Sequence, residues 1–313
     1  MRRLFNTVLL AIFVAVIIVL SYWTGKWSYS WMPVQGTAEA EQVDNLFSFL
    51  VAVGTFIFLG ITGVIGYSIL TCRASKDDFS EGHPSRSNAK IEILWTLTPT
   101  VLVIWIAAQS FSIYEQLNIL GLSPIVMHHL PLEEPAYADA APSGKERTTT
   151  QNQAKPASEE IGVTAKQWAW IFRYPNAVTS NELHLPVNQS VRLVLRSEDV
   201  LHGFYVPEFR VKQDIIPNRT ITFVFTPLRE GQYRLRDSQF SGTYFSLMDA
   251  DVYVESPERY GQWLSQAADR QPALASNRAY AEYTQDVQSD RQSWPTISPA
   301  PPQSVNDAST QGQ

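Results

Sequence analysis

Residues Arg236–Val254 read RDSQFSGTYFSLMDADVYV. In the second half Ala250, Val252 and Val254 alternate with Asp249, Asp251 and Tyr253, the period of two expected of a half-buried strand. The first half, Asp237 to Met248, is a tight polar loop with Gly242 at its centre, placed where one strand should join the next. A loop of that kind usually holds something. This one contains no cysteine and no histidine, and Met248 is its one soft ligand.

The pattern of short strands extends upstream from this loop. Between Ile161 and Glu255 the chain runs IGVTAKQWAWIFRYP, NQSVRLVLRSE, HGFYVP, RTITFVFTP, GQYRLR and DADVYVE. In RTITFVF, Ile221, Phe223 and Phe225 face one way and Thr220, Thr222 and Val224 the other. Short strands punctuated by Pro and Gly predict an antiparallel sandwich or Greek-key barrel over residues 161–256.

The N-terminal third is of a different kind. Leu4–Trp23, Phe49–Leu70 and Ile93–Ile113 are each long and apolar enough to cross a bilayer, which takes roughly 20 residues. Arg73, Lys76, Arg86 and Lys90 crowd the connection between the second and third segments and place it in the cytoplasm. Everything after residue 114 then lies outside. Arg2 and Arg3 ahead of the first segment fit either a signal peptide or a retained anchor; its long apolar core and the distance to Ala38-Glu39-Ala40 favour the anchor.

The expected division is a signal or anchor helix at 1–24, a transmembrane hairpin at 25–115, a linker or insertion at 116–160, the β-domain at 161–256, and a flexible tail at 257–313. The linker has almost no large apolar residues, and the tail loses all visible periodicity. His128 and His129, just before the linker's polar run, read as solvated neighbours rather than as ligands. The fold class is therefore α + β, membrane helices followed by an external β-sandwich.

Composition removes several functions. A net charge of −6 with no basic stripe gives no footprint for nucleic acid. The single cysteine, Cys72, excludes an intrachain disulfide and any site that needs two thiolates.

Three phrases are specific: EILWTLTPTVLVIWI at the third apolar segment, KQWAWIFRYP at the start of the sandwich, and EDVLHGFYVPEFRVKQDIIPNR in its middle. Together, from about Leu46 to Glu255, the chain resembles subunit II of the haem–copper terminal oxidases. The resemblance implies a helical hairpin docked on subunit I and an outer cupredoxin domain. In members that oxidise cytochrome c, it also implies a binuclear copper held by a His in DVxHxFxVP and by a loop C-x-x-x-C-x-x-x-H-x-x-M.

In that frame His202 and Met248 match, while Asp237 and Ser241 stand where the cysteines would be and Phe245 where the histidine would be. Copper that shuttles one electron in this way needs bridging thiolates, and Cys72 sits in the wrong part of the chain. The expectation is a degenerate loop with no metal, dry and packed around Phe245. The alternative is a mononuclear copper at His202, Asp237 and Met248, whose imidazole, carboxylate and thioether all bind that metal.

The resemblance also assigns Glu92 to a proton pathway leading into subunit I, with a favourable place at a helix N-terminus as the plain reading. Trp168 matches the aromatic through which cytochrome c passes electrons, and without copper it reads as a buried strand aromatic. Gln239 replaces a magnesium-binding Glu, a poorer ligand for a hard cation. A subunit II lacking the copper implies quinol as donor, with haem and copper in subunit I, partners in subunits I and III, and a bacterial energy-transducing membrane. The middle phrase is closer to the cytochrome c branch, which keeps that donor open, and a tethered copper carrier or assembly factor is the rival from another class.

Overall fold

The computed structural model describes residues 2–71, 73, 87–116, 157–289 and 296–308. The linker outside these bounds, with His128 and His129, and Cys72 lie outside the described residues, as do 290–295 and 309–313. The chain divides into two compact units, Met1–Pro33 with Glu41–Ile113, and Val34–Ala40 with Tyr114–Gln313.

The first unit is helical: α1 (Arg2–Trp27), α2 (Ala38–Thr71) and α3 (Ala89–Gln116). Each carries a stretch long and apolar enough to span a bilayer, Leu4–Trp31, Ala38–Thr71 and Ala89–Ser112. Helix α1 lies against α2, where the Ser48 hydroxyl donates to the Gly25 carbonyl at 2.7 Å. Phe49 of α2 meets Trp105 of α3 edge-on at 4.8 Å. Hydroxyls within the helices turn back on their own backbone: Thr55 donates to the Val51 carbonyl, Thr96 to that of Glu92 and Thr100 to that of Thr96. Lipid supplies no partner for a polar group, so this internal pairing is what makes such residues tolerable there.

The second unit is a sandwich of two five-stranded sheets, ordered β3-β2-β1-β5-β8 and β4-β10-β9-β6-β7. The strands are β1 (Glu159–Lys166), β2 (Ala169–Arg173), β3 (Thr179–Ser180), β4 (Leu183–Pro186), β5 (Val191–Ser197), β6 (His202–Val206), β7 (Val211–Ile215), β8 (Ile221–Phe225), β9 (Gly231–Asp237) and β10 (Asp249–Glu255). Most neighbours are antiparallel, as the short-strand pattern predicts, but β1 runs parallel to β5 and β4 to β10. Ile161, Val163, Leu193, Leu195, Phe204, Ile221, Phe223, Phe225 and Leu235 fill the space between the sheets.

Two boundaries differ from the sequence expectation. Val34–Ala40, expected in the hairpin, belongs to the β unit: Gly36 N–H donates to the Glu208 carbonyl at 2.8 Å, and Leu228 N–H to that of Gly36 at 2.8 Å. The tail expected to be flexible from 257 onward is instead folded against the sandwich. It forms α4 (Pro257–Asp269), β11 (Ala273–Leu274), α5 (Arg278–Gln288) and β12 (Ser304–Val305).

The reason is spacing rather than composition. Tyr260, Trp263, Leu264 and Ala267 recur at helical intervals, so a polar segment still presents one apolar stripe, and Tyr260, Ala267 and Ala279 join the core. Ser256 caps α4 by accepting from Arg259 N–H, and Asn277 caps α5 by accepting from Tyr280 N–H.

Candidate functional site

Strand pairing sets the site. Antiparallel pairing of β6 with β9 places Asp237, the last residue of β9, opposite Phe204 and next to His202 at the start of β6. The polar loop after Asp237 then returns through a short 3₁₀ turn, Phe245–Leu247, into β10.

His202 is fully buried. Its Nδ1 lies 2.7 Å from Oδ2 of Asp237, and its Nε2 lies 2.9 Å from Oδ1 of Asp199. Burial opposes a charge on this ring, but the hydrogen bonds and charges of the two carboxylates outweigh it and raise the imidazole pKa. Asp199, despite its own burial, is lowered by the bond to His202 and by the N–H groups of Gln167 and Val200. The centre is an imidazole clamped between two carboxylates that favour its protonated form, with no ring nitrogen left over.

Asp237 is equally committed. Oδ1 accepts the N–H of Gly203 at 2.7 Å and of Gln239 at 3.0 Å; Oδ2 accepts His202 and the Ser241 hydroxyl at 2.8 Å. Ser241 in turn accepts the indole N–H of Trp168 at 3.1 Å, and its carbonyl accepts the Gln167 amide at 2.6 Å. Trp168 is buried, with Tyr244 edge-on at 5.3 Å. A Cβ on Gly242, whose φ is +120°, would come within 2.7 Å of the Trp168 ring, so only glycine fits there.

Met248 is buried in the hydrophobic core, and its carbonyl accepts Asp237 N–H at 3.0 Å and the Trp170 indole at 3.2 Å. Phe245 departs from expectation. It does not seal a dry loop but is half-buried, edge-on to the exposed Phe240 at 5.2 Å, and lines a surface groove with Arg234, Arg236, Asp237 and Met248. Gln239 spends its amide N–H on Asp214 at 2.7 Å.

The site residues predicted in the outer domain are thus gathered in one place, Trp168, His202, Asp237, Ser241, Phe245 and Met248 together. Glu92 lies in the other unit, in the first turn of α3, where its carboxylate accepts the N–H of Asn88 at 3.0 Å. The network does not fit a binuclear copper: oxygen atoms stand in for both bridging thiolates, and both nitrogens of the expected imidazole ligand are engaged. Sequence reasoning missed Asp199, although it stands in the same DVLH phrase, and a second cluster formed by Glu182, His184 and Asp307.

Comparison with known proteins gives the lineage of this arrangement. Residues 23–113 match the family model "Cytochrome C oxidase subunit II, transmembrane domain", and residues 177–255 match "Cytochrome C oxidase subunit II, periplasmic domain". The chain is 35% identical over 268 residues to a cytochrome c oxidase subunit 2 of Synechocystis sp., covering 80% of this chain and 79% of the relative. It is 32% identical over 285 residues to the protein of that name from Thermostichus vulcanus, covering 84% and 86%. A quinol oxidase subunit 2 of Bacillus cereus is 25% identical over 193 residues, covering 61% of this chain and 56% of that one.

Proposed function

Since the chain belongs to the subunit II family of the haem–copper terminal oxidases, we propose that it serves in an oxidase whose electrons come from a membrane quinol and bypass its outer domain. As a family member it is an inner-membrane protein with an external C-terminal domain, part of a terminal oxidase complex. The finer reading rests on one observation: His202 has Asp237 on one nitrogen and Asp199 on the other. A histidine so placed cannot accept a metal without abandoning a buried charge pair, and no cysteine lies anywhere after Cys72.

In this reading quinol is oxidised to quinone and dioxygen reduced to water within subunit I, which carries the haems and copper. The present chain docks on subunit I through its helices, next to subunit III, and caps it with the cupredoxin domain. Trp168 has no acceptor to serve and acts as a core residue. Glu92, at the cytoplasmic end of α3, gathers protons for subunit I, and Glu92→Ala should slow oxygen turnover in the assembled complex. Unchanged turnover would leave the residue as a helix cap.

The second reading, oxidation of cytochrome c, is favoured by the names of the relatives from Synechocystis and Thermostichus. Copper content and oxygen uptake of the complex purified through this chain separate the two. Copper at the level of subunit I alone, with uptake driven by quinol, supports the first. Two further copper ions per complex, or uptake driven by reduced cytochrome c without quinol, supports the second.

A further inference from the structure

A second buried histidine offers what His202 withholds. His184 lies in β4, its ring stacked on Trp263 at 3.8 Å and 13° and on Tyr253 at 4.9 Å and 22°. The residue is 6% exposed. Its Nδ1 is 3.0 Å from Oε2 of Glu255, while its Nε2 is buried without a hydrogen-bond partner. That orphan nitrogen points between two carboxylates, 3.9 Å from Oε2 of Glu182 and 3.7 Å from Oδ2 of Asp307.

An unpaired polar atom in a folded interior forfeits its hydration without compensation and calls for a partner. Neither carboxylate is near enough to hydrogen-bond it. The three donor atoms all lie within 4.8 Å of one another. In a tetrahedral zinc site with bonds of 2.0–2.2 Å, donors stand roughly 3.3 Å apart, so closure draws each carboxylate about 0.4–0.6 Å closer to Nε2 and brings the two carboxylates to the same spacing from at most 4.8 Å. Glu255 at 3.0 Å from Nδ1 is placed to accept that nitrogen's N–H when Nε2 takes a metal, the carboxylate–histidine–metal arrangement by which proteins orient such ligands. Burial disfavours a charge on the ring but Glu182, Glu255 and Asp307 raise its pKa, so a metal ion at Nε2 displaces a proton.

The surroundings are rigid where a site needs them to be. The Tyr174 hydroxyl accepts His184 N–H at 2.6 Å and donates to the Glu182 carbonyl at 3.1 Å. Asp307 N–H donates to the Thr179 carbonyl at 3.0 Å, and the Trp263 indole donates to Asp307 Oδ2 at 2.8 Å. Arg270 pairs with the other oxygen of Asp307 and offsets part of the negative charge.

We propose that Glu182, His184 and Asp307 form a binding site for a divalent first-row metal ion, with zinc as the natural occupant and water as its fourth ligand. One imidazole and two carboxylates suit zinc, and three protein donors leave one position open. The ion would tie the C-terminal segment carrying Asp307 to the sandwich edge at β4. This site is independent of the electron donor and of the His202 network.

The test uses the full chain in detergent, stripped with a chelator and titrated with zinc against a chromophoric competitor. One zinc per chain is expected, with Glu182→Gln and Asp307→Asn each weakening binding by more than 100-fold. Glu255→Gln, which keeps all three ligands, should weaken it 10- to 100-fold. Glu182→Gln preserves size and backbone bonds, so its thermal midpoint without metal should match the wild type, while zinc should raise the midpoint of the wild type alone. Absence of stoichiometric zinc, or equal affinity in Glu182→Gln, overturns the proposal. Loss of zinc in His202→Gln with retention in Glu182→Gln would move the metal to the other histidine and overturn it equally.

Discussion

Among the described residues the outer domain holds two buried histidines, His202 facing two acidic residues and His184 three, and they are not equivalent. At His202 both carboxylates stand at hydrogen-bond distance and both nitrogens are consumed. At His184 the two carboxylates around Nε2 stand about an ångström farther back, at 3.9 and 3.7 Å, and that nitrogen has no partner. The difference teaches that residue types in a cluster do not decide whether it holds a metal; the donor atom left unsatisfied does. The position that the family resemblance would make a copper ligand is closed by hydrogen bonds to two carboxylates, and a position outside that pattern has the open nitrogen.

The comparison breaks most visibly if His202 can be reopened. Asp237→Cys with Ser241→Cys and Phe245→His removes the carboxylate from Nδ1 and supplies two thiolates beside Met248. Purple binuclear copper absorption should then develop on adding copper to the chain. No copper uptake would mean that the loop has moved beyond the family's geometry.

A sharper version removes one partner only. Asp237→Ala leaves the His202 ring with Asp199 alone and strands the N–H and O–H donors that Asp237 accepts, in a site where both side chains are 0% exposed, and should cost about 3–5 kcal/mol in urea unfolding of the detergent-solubilised chain. Glu182→Gln without metal should stay within about 0.5 kcal/mol of the wild type. Equal losses at the two positions would erase the distinction between them. Gly242→Ala acts on the wall of the first network, forcing a Cβ towards Trp168 from a φ of +120°, and should cost about 1–3 kcal/mol.

Much of this architecture is legible in the sequence, and the parts that are not have a common cause. The membrane helices follow from apolar length, and β8 from the alternation of Ile221, Phe223 and Phe225, because both signals are local. The loss of thiolates at Asp237 and Ser241 is equally readable, since it needs only a family pattern and two letters. The clamp on His202 is not readable, because its carboxylates come from a turn and from the end of a different strand. His184 is less so: it sits in a short strand with little periodicity, and Asp307 reaches it from a segment whose composition suggests disorder. Phe245 misled for a related reason. Aromatic character in a loop argues for burial, yet the 3₁₀ turn places its ring at the rim, beside Phe240.

The smallest expected effect is the one that tests the charge on His202. Its pKa is raised from 6.5, burial opposing the charge and the two carboxylates prevailing, so the charged ring is bound more tightly in the folded chain than in the unfolded one. That contribution is complete below about pH 6.5 and is lost as pH climbs through the raised value. Asp199, lowered from 3.8, acts in the opposite direction: its contribution holds above that value and is lost as pH falls through the lowered one. The network is therefore strongest between the carboxylate range and the raised histidine value. The urea midpoint of the wild type should fall from about pH 6 to about pH 9, and His202→Gln should show a shallower fall. His184 is present in both chains, so the difference between the two slopes isolates His202. Parallel slopes would mean that the network holds no more protons folded than unfolded over this range, with the ring neutral and both carboxylates ionised, and that its closure against metal rests on hydrogen bonds rather than on charge.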